Sequence, residues 1–254
     1  MTFLKWIMMG IVSAALMGCG SSKQNILTGS GVIAGEATAA GKQVIVMRPT
    51  GNAQVRFVSH KQNDFGGAPS VDDTSIVLNV AAAFTLDTET MDVCGDHVVA
   101  GELIKGYDDV TATGHALIMN NKVQILPNSR LEKSIEHDID TKGYLFQQCL
   151  IVEDGKGRVE RVPQAIRDRR AHIIYRAACT MNDGSLAIVQ GAEKMYCDEF
   201  VDALVALGAQ QALYLDMGTW AWGWVRESGK PVHELAERFS NTRYQSNWLQ
   251  VITK

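Results

Sequence analysis

Ile173-Ile-Tyr-Arg-Ala-Ala-Cys-Thr-Met-Asn-Asp-Gly-Ser-Leu-Ala-Ile-Val-Gln190 decides the architecture. An apolar run carrying Arg176 reaches Asn182-Asp183-Gly184, and a second apolar run, Ser185 to Gln190, follows at once. Asp-Gly supplies the positive φ that a tight hairpin turn demands, so the two runs are predicted to pair as strands. Downstream, Phe200, Val201, Leu204 and Leu207 fall on one face of a helix predicted from Asp198 to Leu207. Asp198 or Cys197 is its expected cap, and Gly208 its left-handed stop. Gln211-Ala-Leu-Tyr-Leu-Asp216 then reads as a short apolar strand that ends on a carboxylate.

Upstream, further strands are predicted at Gln43 to Arg48, Gln54 to Val58, Ser75 to Phe84, Ala116 to Met119, Lys122 to Leu126, Tyr144 to Val152 and His172 to Met181. Thr50-Gly51-Asn52 marks a turn, and His60 to Thr74 a long polar loop. Many strands with few helices predict an α+β fold, a single domain with a mixed β-sheet and a few packed helices.

The start of the chain reads differently. Lys5 is the only charge before the apolar run Trp6 to Met17, which closes on Leu16-Met17-Gly18-Cys19. A basic start, a short apolar stretch and small residues before the cut define a secretory signal. The run is shorter than the ~20 residues a membrane-spanning helix needs. A cysteine directly after Leu-Met-Gly makes a lipobox, where the thiol accepts diacylglycerol. The expected organisation is a signal peptide over 1–18, lipidated Cys19 and a small-residue linker over 19–42, and a folded domain over 43–254. The expected location is the cell envelope, anchored by lipid. Gly20, in place of Asp, points to the outer membrane.

A net charge of -4 without a basic stripe argues against nucleic acid as a partner. Cys94, Cys149, Cys179 and Cys197 include no C-x-x-C spacing. One disulfide and free buried thiols both fit them. Scattered His97, His115, His137 and His172 lack metal-ligand spacing, so no metal and no cofactor is expected.

Two residues stand out chemically. Asp216 ends a strand whose Leu213 and Leu215 are apolar, and Gly218 would let a ligand approach the backbone beside it. The plainer alternative is an Asp that caps a turn. Arg176 lies inside an apolar strand, where a cation must be paired or must present its fork to an anionic ligand. The plainer alternative is a strand Arg facing water. Trp220, Trp222 and Trp224 alternate, so an extended strand places them on one side, as a sugar-stacking platform if exposed and as core if buried.

Together these segments resemble the phosphodiester glycosidase family from Ala81 to Lys254. Its most specific stretch is Tyr175 to Val189, the helix with Phe200 and Leu204, and Leu207-Gly-Ala-Gln-Gln-Ala-Leu-Tyr-Leu-Asp-Met-Gly-Thr219. Phe146-Gln-Gln148 is similar to a Gln-bearing family segment. Ala82-Ala-Phe-Thr85, Gly95-Asp-His-Val98 and the ending Asn241 to Trp248 look like the variant in Bacteroides-type lipoproteins. The resemblance implies hydrolysis of a sugar 1-phosphodiester, with a glycan or sugar-phosphate substrate. It assigns phosphate binding to Arg176 and acid-base or nucleophilic work to Asp216. His97 or Asp96 is the implied second acid-base group. Gln148, Gly218, Thr219, Thr85 and Trp220 are the implied substrate contacts. Two departures are visible: Met217 stands where the family has Gly, and Ala81-Ala-Ala-Phe84 where it has Asn-Gly-Gly-Phe. The competing class is a non-catalytic glycan-binding or envelope-assembly lipoprotein with the same fold.

Overall fold

The computed structural model describes residues 31–60, 69–85, 90–168, 172–217, 221–236, 242 and 244–253. In chain order the strands are β1 (Gly31–Ala39), β2 (Lys42–Thr50), β3 (Gln54–Ser59), β4 (Ile76–Ala81), β5 (His97–Val99), β6 (Glu102–Ile104), β7 (Gly114–Met119) and β8 (Lys122–Pro127). Helix α1 (Leu131–Thr141) follows, then β9 (Tyr144–Gln148), β10 (Leu150–Glu153), β11 (Lys156–Gly157), the short α2 (Gln164–Arg167), β12 (Arg176–Met181) and β13 (Leu186–Gly191). Helix α3 (Cys197–Ala206), β14 (Ala209–Tyr214), β15 (Trp224–Val225), β16 (His233–Glu234) and β17 (Asn247–Ile252) complete it. Strands outnumber helices, as an α+β fold requires.

The strands form three sheets. A seven-stranded sheet runs β1-β2-β13-β12-β14-β10-β11, and two five-stranded sheets run β16-β15-β4-β17-β3 and β6-β5-β9-β7-β8. Side chains alternate across a strand, and the large sheet uses both of its faces. Met47, Ala178, Ile188 and Leu213 join a core shared with Phe57, Leu78, Val80 and Leu249 of the second sheet and with Ala116, Ile118 and Phe146 of the third. Their neighbours Val44, Ala177, Val189 and Tyr214 pack instead with Phe200, Val201 and Leu204 of α3.

The predicted hairpin is present: β12 pairs antiparallel with β13, and Gly184 turns at φ 79°. Asp183 braces the turn by accepting hydrogen bonds from the Ser185 N–H and hydroxyl, at 2.9 and 2.6 Å. Helix α3 buries the predicted Phe200, Val201 and Leu204, and Gly208 follows it at φ 87°. Its N-cap is Tyr196 and not the expected Asp198 or Cys197, because the Glu199 carboxylate reaches back to the Tyr196 N–H at 2.9 Å.

Four readings are corrected. Residues 31–39, expected as linker, form β1, a nine-residue strand paired along its length with β2. The run Tyr144 to Val152 is two strands, and they lie in different sheets. The break falls at Cys149, whose N–H is taken by the Gln148 side chain at 2.8 Å, while the Leu150 N–H goes to the Thr113 hydroxyl at 3.0 Å. Strand β12 begins at Arg176, later than His172, and β14 ends at Tyr214, two residues before Asp216. Helix α1 was not foreseen. The signal peptide and Cys19 lie outside the described residues. Cys94, Cys149, Cys179 and Cys197 are all free and buried.

Candidate active site

The ends of several strands meet at one place. Leu215, just past β14, donates its N–H to the Arg176 carbonyl at the start of β12, and Asp216 donates its own to the Ala82 carbonyl beyond β4, both at 2.9 Å. Tyr214 donates to the carbonyl of Cys149 at the β9–β10 break, also at 2.9 Å. Asn247, first in β17, clamps the Ala83 backbone from both sides. Its Oδ1 accepts the Ala83 N–H at 2.7 Å and its Nδ2 donates to the Ala83 carbonyl at 3.0 Å. The hydroxyls of Thr85 and Ser246 bond at 2.9 Å. The ends of the first and second sheets therefore fix the segment from Ala82 to Thr85 beside Asp216, and the break between β9 of the third sheet and β10 holds Tyr214 just before it.

Asp216 is only 7% exposed. Burial pushes its carboxyl up to about 8, against the pull of the Thr85 and Met217 N–H groups that bond to it and of the nearby Arg176 charge. Its proton is held more tightly than on an ordinary carboxyl. The Arg176 guanidinium is wholly buried. Its Nε donates to Gln190 Oε1 at 2.8 Å and its Nη1 to the Ala221 carbonyl at 3.0 Å, while its Nη2 has no partner among the described residues. Burial lowers it to about 10, with Tyr214 and Asp216 opposing. That value still leaves it charged. A buried cation near a carboxyl whose proton burial favours, with one donor nitrogen unspent, is a site that attracts an anion.

The predicted residues divide. Arg176, Asp216 and Thr85 come together. Gln148 lies at the end of β9, with its Oε1 on the Cys149 N–H and its buried Nε2 unpartnered among the described residues. His97 and Asp96 are engaged elsewhere. The His97 ring bonds Ser59 Oγ at 3.0 Å and the Gly95 carbonyl at 3.2 Å, and Asp96 is ion-paired with Lys105. His97 instead lines a cleft of about 480 Å³ with His60, Met91 and Val93, and Val93 is bridged to Thr85. Trp222 and Trp224 are core, not platform. Gly218, Thr219 and Trp220 lie outside the described residues. Among the described residues no His, Cys, Asp and Glu group could hold a metal.

Sequence reading missed Gln190, which orients Arg176, and Asn247, which orients Ala83. For Gln190 the available signal was a polar amide near the end of an otherwise apolar strand; Asn247 carried none. It also missed Cys94 and Tyr107, whose side chains bond to each other within electrostatic reach of Asp216.

No family model and no curated protein sequence matches the chain. Solved structures do. The catalytic domain of zebrafish N-acetylglucosamine-1-phosphodiester alpha-N-acetylglucosaminidase, auto-inhibited by its pro-peptide, superposes with a TM-score of 0.58 at 13% identity, over 91% of this chain and 85% of that one. The fold is distantly phosphodiester glycosidase-like. A hypothetical protein from Synechocystis also superposes on this chain, with a TM-score of 0.52 at 13% identity, over 88% of this chain and 62% of that one.

Proposed function

We propose that the chain is a lipid-anchored cell-envelope hydrolase that releases sugar from sugar 1-phosphodiesters. The observation that carries this reading is the Nη2 of buried Arg176, without a partner among the described residues, near the Asp216 carboxyl, whose proton burial favours. The anionic phosphodiester oxygen takes Nη2, and the guanidinium balances the charge that grows on phosphate as it departs. Asp216 delivers its proton to the departing oxygen. The bond from the anomeric carbon to that oxygen breaks, water forms the new bond to carbon, and the proton it loses restores the Asp216 carboxyl. Cys19 carries the lipid, and neither a cofactor nor nucleic acid takes part.

The deciding experiment is release of free sugar from a panel of sugar 1-phosphodiesters, wild type beside Asp216→Asn. Release by the wild type, lost in the variant, is expected. A folded wild type that releases nothing overturns the reading. Cys19→Ala should abolish incorporation of labelled palmitate and free the protein from the membrane fraction. Retained labelling would overturn the anchor.

One observation favours the alternative of a glycan binder without turnover. Ala81, Ala82 and Ala83 are buried beside Asp216 and bring it no polar side chain where the resembled family has Asn-Gly-Gly. Glycan binding without product, unchanged in Asp216→Asn, is the outcome that reading expects.

A further inference from the structure

A second set of reactive groups lies on the third sheet, engaged with other partners than Arg176 and Asp216. His115 of β7 is completely buried. Its Nε2 lies 2.8 Å from the hydroxyl of Ser134 on α1, and its Nδ1 lies 3.2 Å from Asn128 Oδ1. Asn128 Nδ2 donates to the Ala112 carbonyl at 2.6 Å and to Gln147 Oε1 at 2.8 Å, and Gln147 Nε2 donates to the Asp96 carbonyl at 2.8 Å.

This chain of bonds fixes where the protons are. Backbone carbonyls only accept, so those of Ala112 and Asp96 set which end of each amide is nitrogen. Asn128 then offers His115 an oxygen, and Nδ1 must be the N–H that donates to it. Nε2 is left bare and accepts from the Ser134 hydroxyl. Burial holds the imidazole down to about 4 against the Asn128 hydrogen bond, so it is neutral at pH 7. A serine, a histidine in the receptive tautomer and an orienting amide are the parts of an activated nucleophile.

Ser134 also opens onto space. It lines a cleft of about 590 Å³ with Leu117, Arg130, Lys133 and His137. Arg130, Lys133, Ser134 and His137 recur three and four residues apart, so they share one face of the helical run. Leu117 supplies an apolar floor and the basic residues a cationic rim, on a chain whose net charge is -4.

We propose that Ser134 is the nucleophile of a second hydrolytic site, which takes acyl esters of anionic compounds. Ser134 Oγ adds to the ester carbonyl carbon and its proton passes to His115 Nε2. The bond to the alcohol oxygen breaks, and that oxygen receives the proton from His115. Water, deprotonated by the same nitrogen, then releases the carboxylic acid and restores the hydroxyl. Arg130 and Lys133 face the charge that develops on the carbonyl oxygen. Asn128 and Gln147 are positioning residues. Ser134 is only 5% exposed, which restricts the acyl group to a short one such as acetyl. The inference is independent of the sugar-phosphodiester reading.

The test treats the full-length protein with an alkyl fluorophosphonate, which exchanges its P–F bond for a bond to an activated serine oxygen. One phosphonyl group on Ser134 is expected by intact and peptide mass, with none on Ser134 in Ser134→Ala. Hydrolysis of 4-nitrophenyl acetate should fall at least ~100-fold in that variant, the scale of a positioned nucleophile and base. Ser134→Ala removes one hydroxyl from a helix, and Asp216→Asn should label at the wild-type rate. A folded wild type whose Ser134 stays unlabelled, or ester hydrolysis unchanged in Ser134→Ala, overturns the proposal.

Discussion

Asp216 and Arg176 are both pushed toward neutrality by burial, yet only the carboxyl reaches it near physiological pH. If Asp216 acts as the acid, the proposed turnover should hold below its raised value of about 8 and fall above it. A rate that climbs through pH 8 would make the carboxylate a base or nucleophile and sink the acid role. Asn247 holds Ala83 by two hydrogen bonds, and Asn247→Ala leaves both backbone groups of Ala83 buried and unmet. A loss of about 1–3 kcal/mol in denaturant unfolding is expected. No change would mean that the clamp carries no stability. Arg176 and Asp216 were legible because a charge in an apolar run is locally conspicuous. Asn247 was not, since its partner lies 164 residues away and an amide near a chain end has no distinctive pattern.

The elements differ in how far local pattern determines them. Helix α3 was legible because Phe200, Val201 and Leu204 keep helical spacing and Gly208 ends it; Leu204→Ala should cost about 2–5 kcal/mol, read by chemical denaturation. Helix α1 was hidden because its two buried positions are polar, Ser134 and Asp138. Both Asp138 carboxyl oxygens are buried and unpartnered among the described residues, and burial raises the group to about 7. The folded state therefore binds the Asp138 proton more tightly than the unfolded chain does. Its contribution is complete below about pH 4 and is lost as pH rises through 7. Asp138→Asn should flatten that part of the stability profile, and an unchanged slope between pH 4 and 7 would show that Asp138 titrates normally. Strand β1 was missed because Gly, Ala and Thr give it little apolar alternation, and its order comes from β2.

At the scale of the molecule, three sheets share one core, and the candidate site lies where their strands end. A version shortened to begin at Gln43 would lose β1, the present edge with its Gly, Ala, Glu and Thr, and expose in its place β2 with its apolar Val44-Ile-Val-Met47 run. An apolar bare edge pairs with other chains more readily than a polar one. The shortened protein should therefore run as aggregate by size exclusion, while one beginning at Gly31 runs as a discrete species. Equal behaviour would show that β1 is dispensable. The division into sheets was the least legible feature. Which sheet a strand joins is decided by partners far along the chain, as at Cys149, where one apolar run passes from the third sheet to the first.

Cys94, Cys149, Cys179 and Cys197 are sealed inside the finished protein, and burial makes each thiol harder to ionise. In a chain exported as proposed above, nothing would seal them before it folds. Under that proposal, maturation outside the cytoplasm would be a race between collapse and oxidation, in which a premature cross-link traps the polypeptide short of its folded state. Such a protein depends on speed, or on a reducing escort, for its yield. Refolding with a thiol reductant present should recover more of it than refolding in air.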